Sequence, residues 1–315
     1  MEPVDWIKPR LAECGAVASG FARADRVAQP QTDLYRGWIE RGCNADMAYL
    51  ERYDEVRSDP RLLLEGAATV IAAAFNYYTP AGRGDGGLRW ARYALGDDYH
   101  DELRRRLTTV ADEITARTGH ACRVCVDTAP LRERYWAQCA GVGFVGLNNL
   151  LIVPGVGSWC LLGFIITTLE LPPDAPERRS CGECGACVKA CPGQALDGHG
   201  GLDSRRCRSY QTIEYRGDSL DQLSDRVYGC DVCQEVCPWN SHAPITEIAE
   251  FAPRPAILAL SREDIMDMEQ EEFSGLFRHS AIKRAKLAGL KRNALHCGSD
   301  VGHAGEPGNV VDAQV

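Results

Sequence analysis

The chain has 315 residues, 45% of them apolar, with 35 Lys and Arg against 44 Asp and Glu for a formal charge of −9. That is enough for one sizeable core plus a smaller module, about two domains by length, and the acidic balance excludes a general nucleic-acid-coating protein without excluding a single basic patch. The longest uncharged apolar stretch, Trp159 to Leu169, is too short to cross a bilayer, and Met-Glu-Pro-Val-Asp-Trp at the start has neither region of a secretory signal. No membrane association is expected, and a reducing cytoplasm suits a chain with 15 cysteines and no regular disulfide framework.

In chain order, Asp5–Cys14 and Thr32–Arg41 read as helices, and the apolar run Ala67–Phe75 as a buried strand. Tyr77–Gly87 is a loop by its Gly and Pro content. Asp101–Arg117 has helical periodicity, with Leu103, Leu107, Val110 and Ile114 on one stripe. Arg123–Val126 reads as a short strand. Cys122 and Cys125 at its start point to opposite faces, because strand side chains alternate, so they are expected in core packing and not as a metal or redox pair. Leu131–Ala140 reads as a helix. Gly141-Val-Gly143-Phe-Val-Gly146 then follows a helix where a dinucleotide fingerprint would follow a strand, so that reading is rejected. Ile152–Thr167 is expected to form a hairpin turning at Pro154-Gly155 and Gly157-Ser158, and Pro172–Pro176 to mark a domain boundary.

The cysteine region is the strongest signal. Cys181-x2-Cys184-x2-Cys187-x3-Cys191-Pro192 has the bacterial ferredoxin spacing, in which three thiolates bind one iron–sulfur cube and the fourth cysteine reaches a second. Cys230-x2-Cys233-x3-Cys237-Pro238 supplies three more, and Cys207 is the one cysteine between the blocks. The crossed rule assigns one [4Fe–4S] cluster to Cys181, Cys184, Cys187 and Cys237 and a second to Cys191, Cys207, Cys230 and Cys233. Structural zinc would favour two separate four-cysteine knuckles, and disulfides an oxidising compartment.

Beyond Asn240 the chain is loop to Pro255. Ser261 and Asp264 resemble a capping box at the start of a helix. Six acids and no base fill 263–272, and six Lys or Arg and no acid fill 278–292. Two solvated helix faces or a nucleic-acid contact both fit this pattern. Residues 298–315 are polar and Gly-rich and are expected to form a disordered tail.

Five dispersed motifs together resemble the epoxyqueuosine reductase family: Arg92-Tyr-Ala-Leu-Gly-Asp-Asp-Tyr99-His100, Val126-Asp127-Thr-Ala-Pro-Leu-Arg-Glu-Arg134, Gly157-Ser-Trp159, Cys207-x-Ser209-Tyr-x-Thr-Ile-Glu214 and Cys230-Asp-Val-Cys-Gln-Glu-Val-Cys-Pro-Trp-Asn240. The resemblance runs from about residue 40 to 295. It implies an oxidoreductase that removes the epoxide oxygen of epoxyqueuosine at the tRNA wobble position, giving queuosine. The implied fold is α/β or α+β: a cobalamin-binding α/β domain over 1–172, a ferredoxin-like module with two [4Fe–4S] clusters over 173–250, and a C-terminal helical segment over 251–297.

The resemblance further implies Asp127 as proton donor and Tyr99, His100, Asp127, Arg134, Asn148 and Ser209 around the cofactor. The chemistry agrees, since side chains cannot supply the electrons and a reduced cobalt corrin can. To hold a proton near neutrality, Asp127 is expected to have a pKa raised by burial beside the apolar corrin, its other reading being a turn or cap residue before Pro130. No histidine stands in an Asp-x-His-x-x-Gly motif, so cobalamin is expected without a protein histidine on cobalt. The expected partners are a tRNA carrying epoxyqueuosine, held through Lys283, Arg284, Lys286, Lys291 and Arg292, and a low-potential electron donor. The protein is expected to be a monomer. Leu147, Phe164 and Thr168 depart from the family's usual Lys, Glu and Asp. An electron-transfer protein or a cobalamin-dependent reductase of a small molecule are the alternative readings.

Overall fold

The computed structural model describes residues 2–218, 220 and 223–298. Apart from Gly298, the expected disordered tail lies outside the described residues. The fold is mixed α/β. Its centre is a four-stranded antiparallel sheet of β1 (Ala18–Arg23), β2 (Thr69–Asn76), β3 (Cys122–Cys125) and β4 (Cys160–Thr167), in the order β1-β2-β4-β3.

Every residue of β2 is buried because both sheet faces are covered, which is why its sequence is continuously apolar instead of alternating. Ile71, Ala73 and Phe75 meet α1 (Pro3–Glu13) and α3 (Tyr99–Thr118), while Val70, Ala72 and Ala74 share a core with α4 (Glu133–Cys139); α2 (Gln29–Glu40) lies between β1 and β2 in the chain. The stripe of Leu103, Leu107, Val110 and Ile114 on α3 is wholly buried against the first face. Gly163 on β4 lets Leu107 approach, since a methyl there would collide with it. Cys122 packs into the first core and Cys125 into the second, as strand alternation requires.

The expected hairpin over 152–167 does not form. Leu151–Ile152 pairs with Phe144–Val145, and a tight turn from Val153 to Gly157 sends the chain away to β4. Both edges of β4 are taken, by β2 and β3, so neither is free for the preceding segment. Phe164 is buried opposite Ala72 and Cys125. The Thr168 hydroxyl accepts from Ala121 N at 3.0 Å and closes the end of the strand.

A third core joins Trp90, Leu95, Val227 and Tyr228 to the C-terminal helices through Ile265, Phe273, Phe277, Ile282 and Leu290. These helices are α5 (Arg262–Asp267), α6 (Gln270–Leu276) and α7 (Lys286–His296). The capping box forms as expected: Ser261 Oγ accepts from Asp264 N at 3.1 Å, and Asp264 Oδ2 accepts from Ser261 N at 2.8 Å.

Candidate functional site

The acid site lies where β3 ends and α3 begins. Asp127 sits at the centre of a three-residue turn with φ +49°, and Thr128 N donates to Val126 O at 2.5 Å across it. A non-glycine residue in this conformation is strained and persists only where its surroundings fix it. Here Asp127 N donates to Glu133 Oε1 at 2.6 Å. Asp127 Oδ2 accepts from Tyr99 Oη at 3.1 Å and lies 2.9 Å from His100 Nε2.

The sequence Asp98-Tyr99-His100 does two jobs. Asp98 caps α3 by accepting from His100 N at 3.0 Å, and the same oxygen lies 2.7 Å from His100 Nδ1. With a carboxylate on each ring nitrogen, the imidazole satisfies both contacts only as the doubly protonated cation. Tyr99 stacks on it with ring centres 4.0 Å apart.

In the free protein, electrostatics disfavours a proton on Asp127. Burial alone would raise its pKa, but the hydrogen bond and charge of His100, with the Tyr99 hydroxyl, hold it below the ordinary carboxylate value. Burial works against the His100 cation, yet Asp127 and Asp98 outweigh it and lift His100 to about 9. Burial, reinforced by the nearby Asp127 charge, pushes Glu133 up to about 8. Near neutrality in the free protein, His100 and Glu133 therefore favour their protonated forms while Asp127 favours its ionised form. The Asp127 side chain is 54% exposed and that of His100 23%, so the carboxylate is open to a substrate while its partner is sheltered. Burial lowers the Arg134 pKa; its guanidinium donates to the Asn149 carbonyl.

Cys181, Cys184, Cys187 and Cys237 line one cavity of about 90 Å³, together with Leu147, Asn148 and Trp239. Among the described residues no three His, Cys, Asp or Glu side chains converge to hold a single metal ion; these four thiols instead surround a space. Their backbone surroundings suit thiolate sulfur. Leu147 N donates to Cys181 Sγ and Ala195 N to Cys191 Sγ, each at 3.3 Å. Backbone N–H groups of Tyr210 and Ser209 point at Cys207, that of Val232 at Cys230, and those of Trp239 and Asn240 at Cys237. Ser209 thus contributes its backbone beside a cysteine. The thiols of Cys191, Cys207, Cys230 and Cys233 form a second electrostatically linked group.

Residues in and just after the second cysteine block, visible in the sequence only as members of a motif, tie this region to Arg92 and to Ser158 ahead of β4. Asp231 Oδ2 accepts from Arg92 N at 2.9 Å and pairs with its guanidinium at 3.2 Å, and Glu235 pairs with Arg92 at 3.0 Å. Gln234 Nε2 donates to Ser158 O at 2.9 Å, and Asn240 Oδ1 accepts from Ser158 N at 2.7 Å. Asp98, Arg92 and Glu133 were likewise visible only as members of motifs. Acidic and amide residues inside a cysteine block were the available signal.

The basic segment divides. Lys283 and Lys286 are exposed and Lys291 is half-buried. Arg284 pairs with Glu214 through contacts of 2.8 and 2.9 Å. Arg292 turns inward, donating to the carbonyls of Gln211, Tyr215 and Gly217 at 2.7–2.9 Å.

Residues 57–128 match the family model described as Epoxyqueuosine reductase QueG, and residues 180–240 that described as a 4Fe-4S double cluster binding domain. The chain is 39% identical to the epoxyqueuosine reductase of a Synechococcus sp. over 297 residues, covering 91% of this chain and 92% of that one. A crystal structure of epoxyqueuosine reductase with an epoxyqueuosine-modified tRNA-Tyr stem loop superposes with a TM-score of 0.84 at 29% identity, covering 93% of this chain and 80% of that one. The Bacillus subtilis epoxyqueuosine reductase, solved with its catalytic aspartate loop swung out of the active site, gives 0.82 at 28% identity with the same coverage. At this identity and coverage, the chain belongs to the epoxyqueuosine reductase family.

Proposed function

We propose that this chain reduces epoxyqueuosine at the wobble position of tRNA to queuosine: the substrate takes up two electrons and two protons, both C–O bonds of the epoxide break, and the oxygen leaves as water. The observation that carries this reading is the Asp98–His100–Asp127 chain, which presents an open carboxylate backed by a protonated imidazole.

Asp127 Oδ2 delivers the proton to the departing oxygen and is refilled from His100 Nε2, which Asp98 keeps charged and aligned. In the free protein that transfer runs uphill, because His100 binds its proton more tightly than Asp127. Covering the exposed carboxylate with substrate and cofactor raises the Asp127 pKa by desolvation and narrows the gap. Tyr99 steadies the carboxylate, and Glu133 holds the strained turn. The Bacillus subtilis relative was captured with its aspartate loop displaced, and the turn over Val126–Thr128 is the element that would move here.

The electrons require cofactors that this cysteine set and fold fit. A [4Fe–4S] cluster would be held by Cys181, Cys184, Cys187 and Cys237, and a second by Cys191, Cys207, Cys230 and Cys233. Tyr99, His100 and Arg134 would line the cobalamin site, and cobalamin would supply an electron-rich cobalt when bound. On this reading residues 1–172 bind the corrin, 173–250 are the ferredoxin-like module and 251–297 complete the tRNA face. Lys283, Lys286 and Lys291, with Arg284, would meet phosphates, and Arg292 would brace that face. No helix among the described residues is long and apolar enough to cross a membrane, and the proposed setting is a cytoplasmic monomer fed by a low-potential electron donor.

The test is anaerobic. Protein reconstituted with iron, sulfide and cobalamin is given a chemical reductant and a tRNA stem loop carrying epoxyqueuosine. Queuosine, lighter by one oxygen, is the expected product, and D127N is expected to yield none while retaining both cofactors. Wild-type protein that holds cobalamin and about eight irons yet leaves the modified base unchanged overturns the proposal.

A further inference from the structure

The turn from Gly146 to Leu150, left over when the dinucleotide reading of its glycines failed, carries a buried donor with nothing to bond. Asn148 is 5% exposed. Its Oδ1 accepts from Leu150 N at 3.2 Å, which fixes the amide orientation and leaves Nδ2 as the free end. Nδ2 has no partner among the described residues. A buried donor left unsatisfied costs about 1–3 kcal/mol, so it calls for an acceptor.

The cavity beside Asn148 is the one lined by Cys181, Cys184, Cys187 and Cys237. The neighbouring residue already serves it, since Leu147 N donates to Cys181 Sγ at 3.3 Å. The backbone is shaped to hold Asn148 in place. Gly146 N donates to Leu150 O and Asn149 N to Gly146 O, both at 2.9 Å. A side chain at Gly146 would crowd Asn148 Oδ1 at 2.9 Å and Ile152 Cδ1 at 2.7 Å, so glycine leaves the room that Asn148 occupies.

We propose that Asn148 Nδ2 donates a hydrogen bond to a sulfur of the cluster held by Cys181, Cys184, Cys187 and Cys237, and so sets that cluster's reduction potential. Asn148 is then a tuning residue of the iron–sulfur centre and not a contact of the corrin. The physical ground is charge: a cluster gains one negative charge on reduction, and a donor to its sulfur stabilises the reduced form more than the oxidised one. This inference rests on the cluster assignment proposed above.

The experiment uses the reconstituted holoprotein and follows both clusters by electron paramagnetic resonance during a redox titration, with iron counted in each sample. N148L removes the donor at similar volume, and N148D removes it with the shape kept and a negative charge added. In N148L one cluster is expected to shift to lower potential, its reduced-to-oxidised ratio at the wild-type midpoint falling about tenfold, about 59 mV for one electron. N148D is expected to shift the same cluster further, with the other cluster unmoved in both variants. Full iron content with unmoved potentials, an equal shift of both clusters, or iron loss from both alike overturns the proposal. Failure of the wild-type protein to hold two clusters would instead sink the cluster assignment, so the two failures are distinguishable.

Discussion

His100 Nε2 stands 2.9 Å from Asp127 Oδ2, a contact between residues 27 apart in sequence that couples the first turn of α3 to the strained turn after β3. The folded pKa of His100, about 9, lies above its ordinary 6.5, so the ring is protonated at neutral pH and loses its proton as pH rises through about 9. Its contribution to stability is complete below about 6.5 and fades across the same window. Asp127, shifted the other way, stays ionised to below its ordinary range. The kcat/KM for modified tRNA should therefore fall on the alkaline side with an apparent pKa near 9. H100Q should lose that limb and about 10²- to 10⁴-fold in rate. A pH–rate profile under saturating reductant checks this, and an unchanged limb in H100Q would remove His100 from the proton path.

Glu133 serves the same turn through Asp127 N at 2.6 Å. With its pKa pushed to about 8 by burial and the Asp127 charge, it is largely protonated at neutral pH, and its role at Oε1 is to accept. E133Q keeps an acceptor and should turn over near the wild-type rate. E133L leaves the amide of Asp127 unpaired and frees the turn, for an expected loss of about tenfold in kcat, close to the 1.4 kcal/mol of one hydrogen bond. Equal rates in the two variants would show that the turn holds without Glu133.

Arg92 and Asp231 form the most sheltered ion pair tying the cysteine region to the rest of the chain, with side chains only 13% and 4% exposed. The Arg92 guanidinium also lies 4.9 Å from the Trp159 ring centre. Removing one partner strands a buried charge, so R92A should cost about 3 kcal/mol. R92M/D231L should cost less than the sum of the single variants, because neither charge is left alone. Denaturant unfolding of the reconstituted protein, read as a double-mutant cycle, measures the coupling, and simple additivity would mean the pair contributes nothing as a pair.

What the sequence made legible were features decided within one element. The eight cysteines announce themselves by spacing, α3 by its leucine stripe, β2 by an unbroken apolar run, and Cys122 and Cys125 by strand alternation. What it hid depends on distant partners. The hairpin expected at 152–167 fails because β2, far upstream, claims an edge of β4. The Asp127 pKa in the free protein goes down because His100 and Tyr99 meet it from 27 and 28 residues away. Arg92 and Asp231 are 139 apart, and nothing local to either marks the bond. Phe164 and Thr168, departures from the family pattern, prove to be a core side chain and a strand closure, while Leu147 meets the cysteine cavity through its backbone.

Within the basic segment, Lys283, Lys286 and Lys291 have no ion-pair partner among the described residues, whereas Arg292 is spent on three carbonyls of the chain itself. The two kinds of residue should separate experimentally. Replacing the three lysines with alanine should weaken binding of the modified stem loop and flatten its dependence on salt, by roughly 0.7 to 0.9 in the log–log slope for each phosphate no longer neutralised. Unfolding should be unchanged. R292A should instead lower the melting temperature through about 1–3 kcal/mol of forfeited hydrogen bonding, with little change in the salt slope. Binding isotherms at several ionic strengths beside thermal melts decide it. A lysine triple variant with the wild-type slope would return these side chains to the role of a solvated surface, and the RNA-binding face would then have to be sought elsewhere around the open side of Asp127.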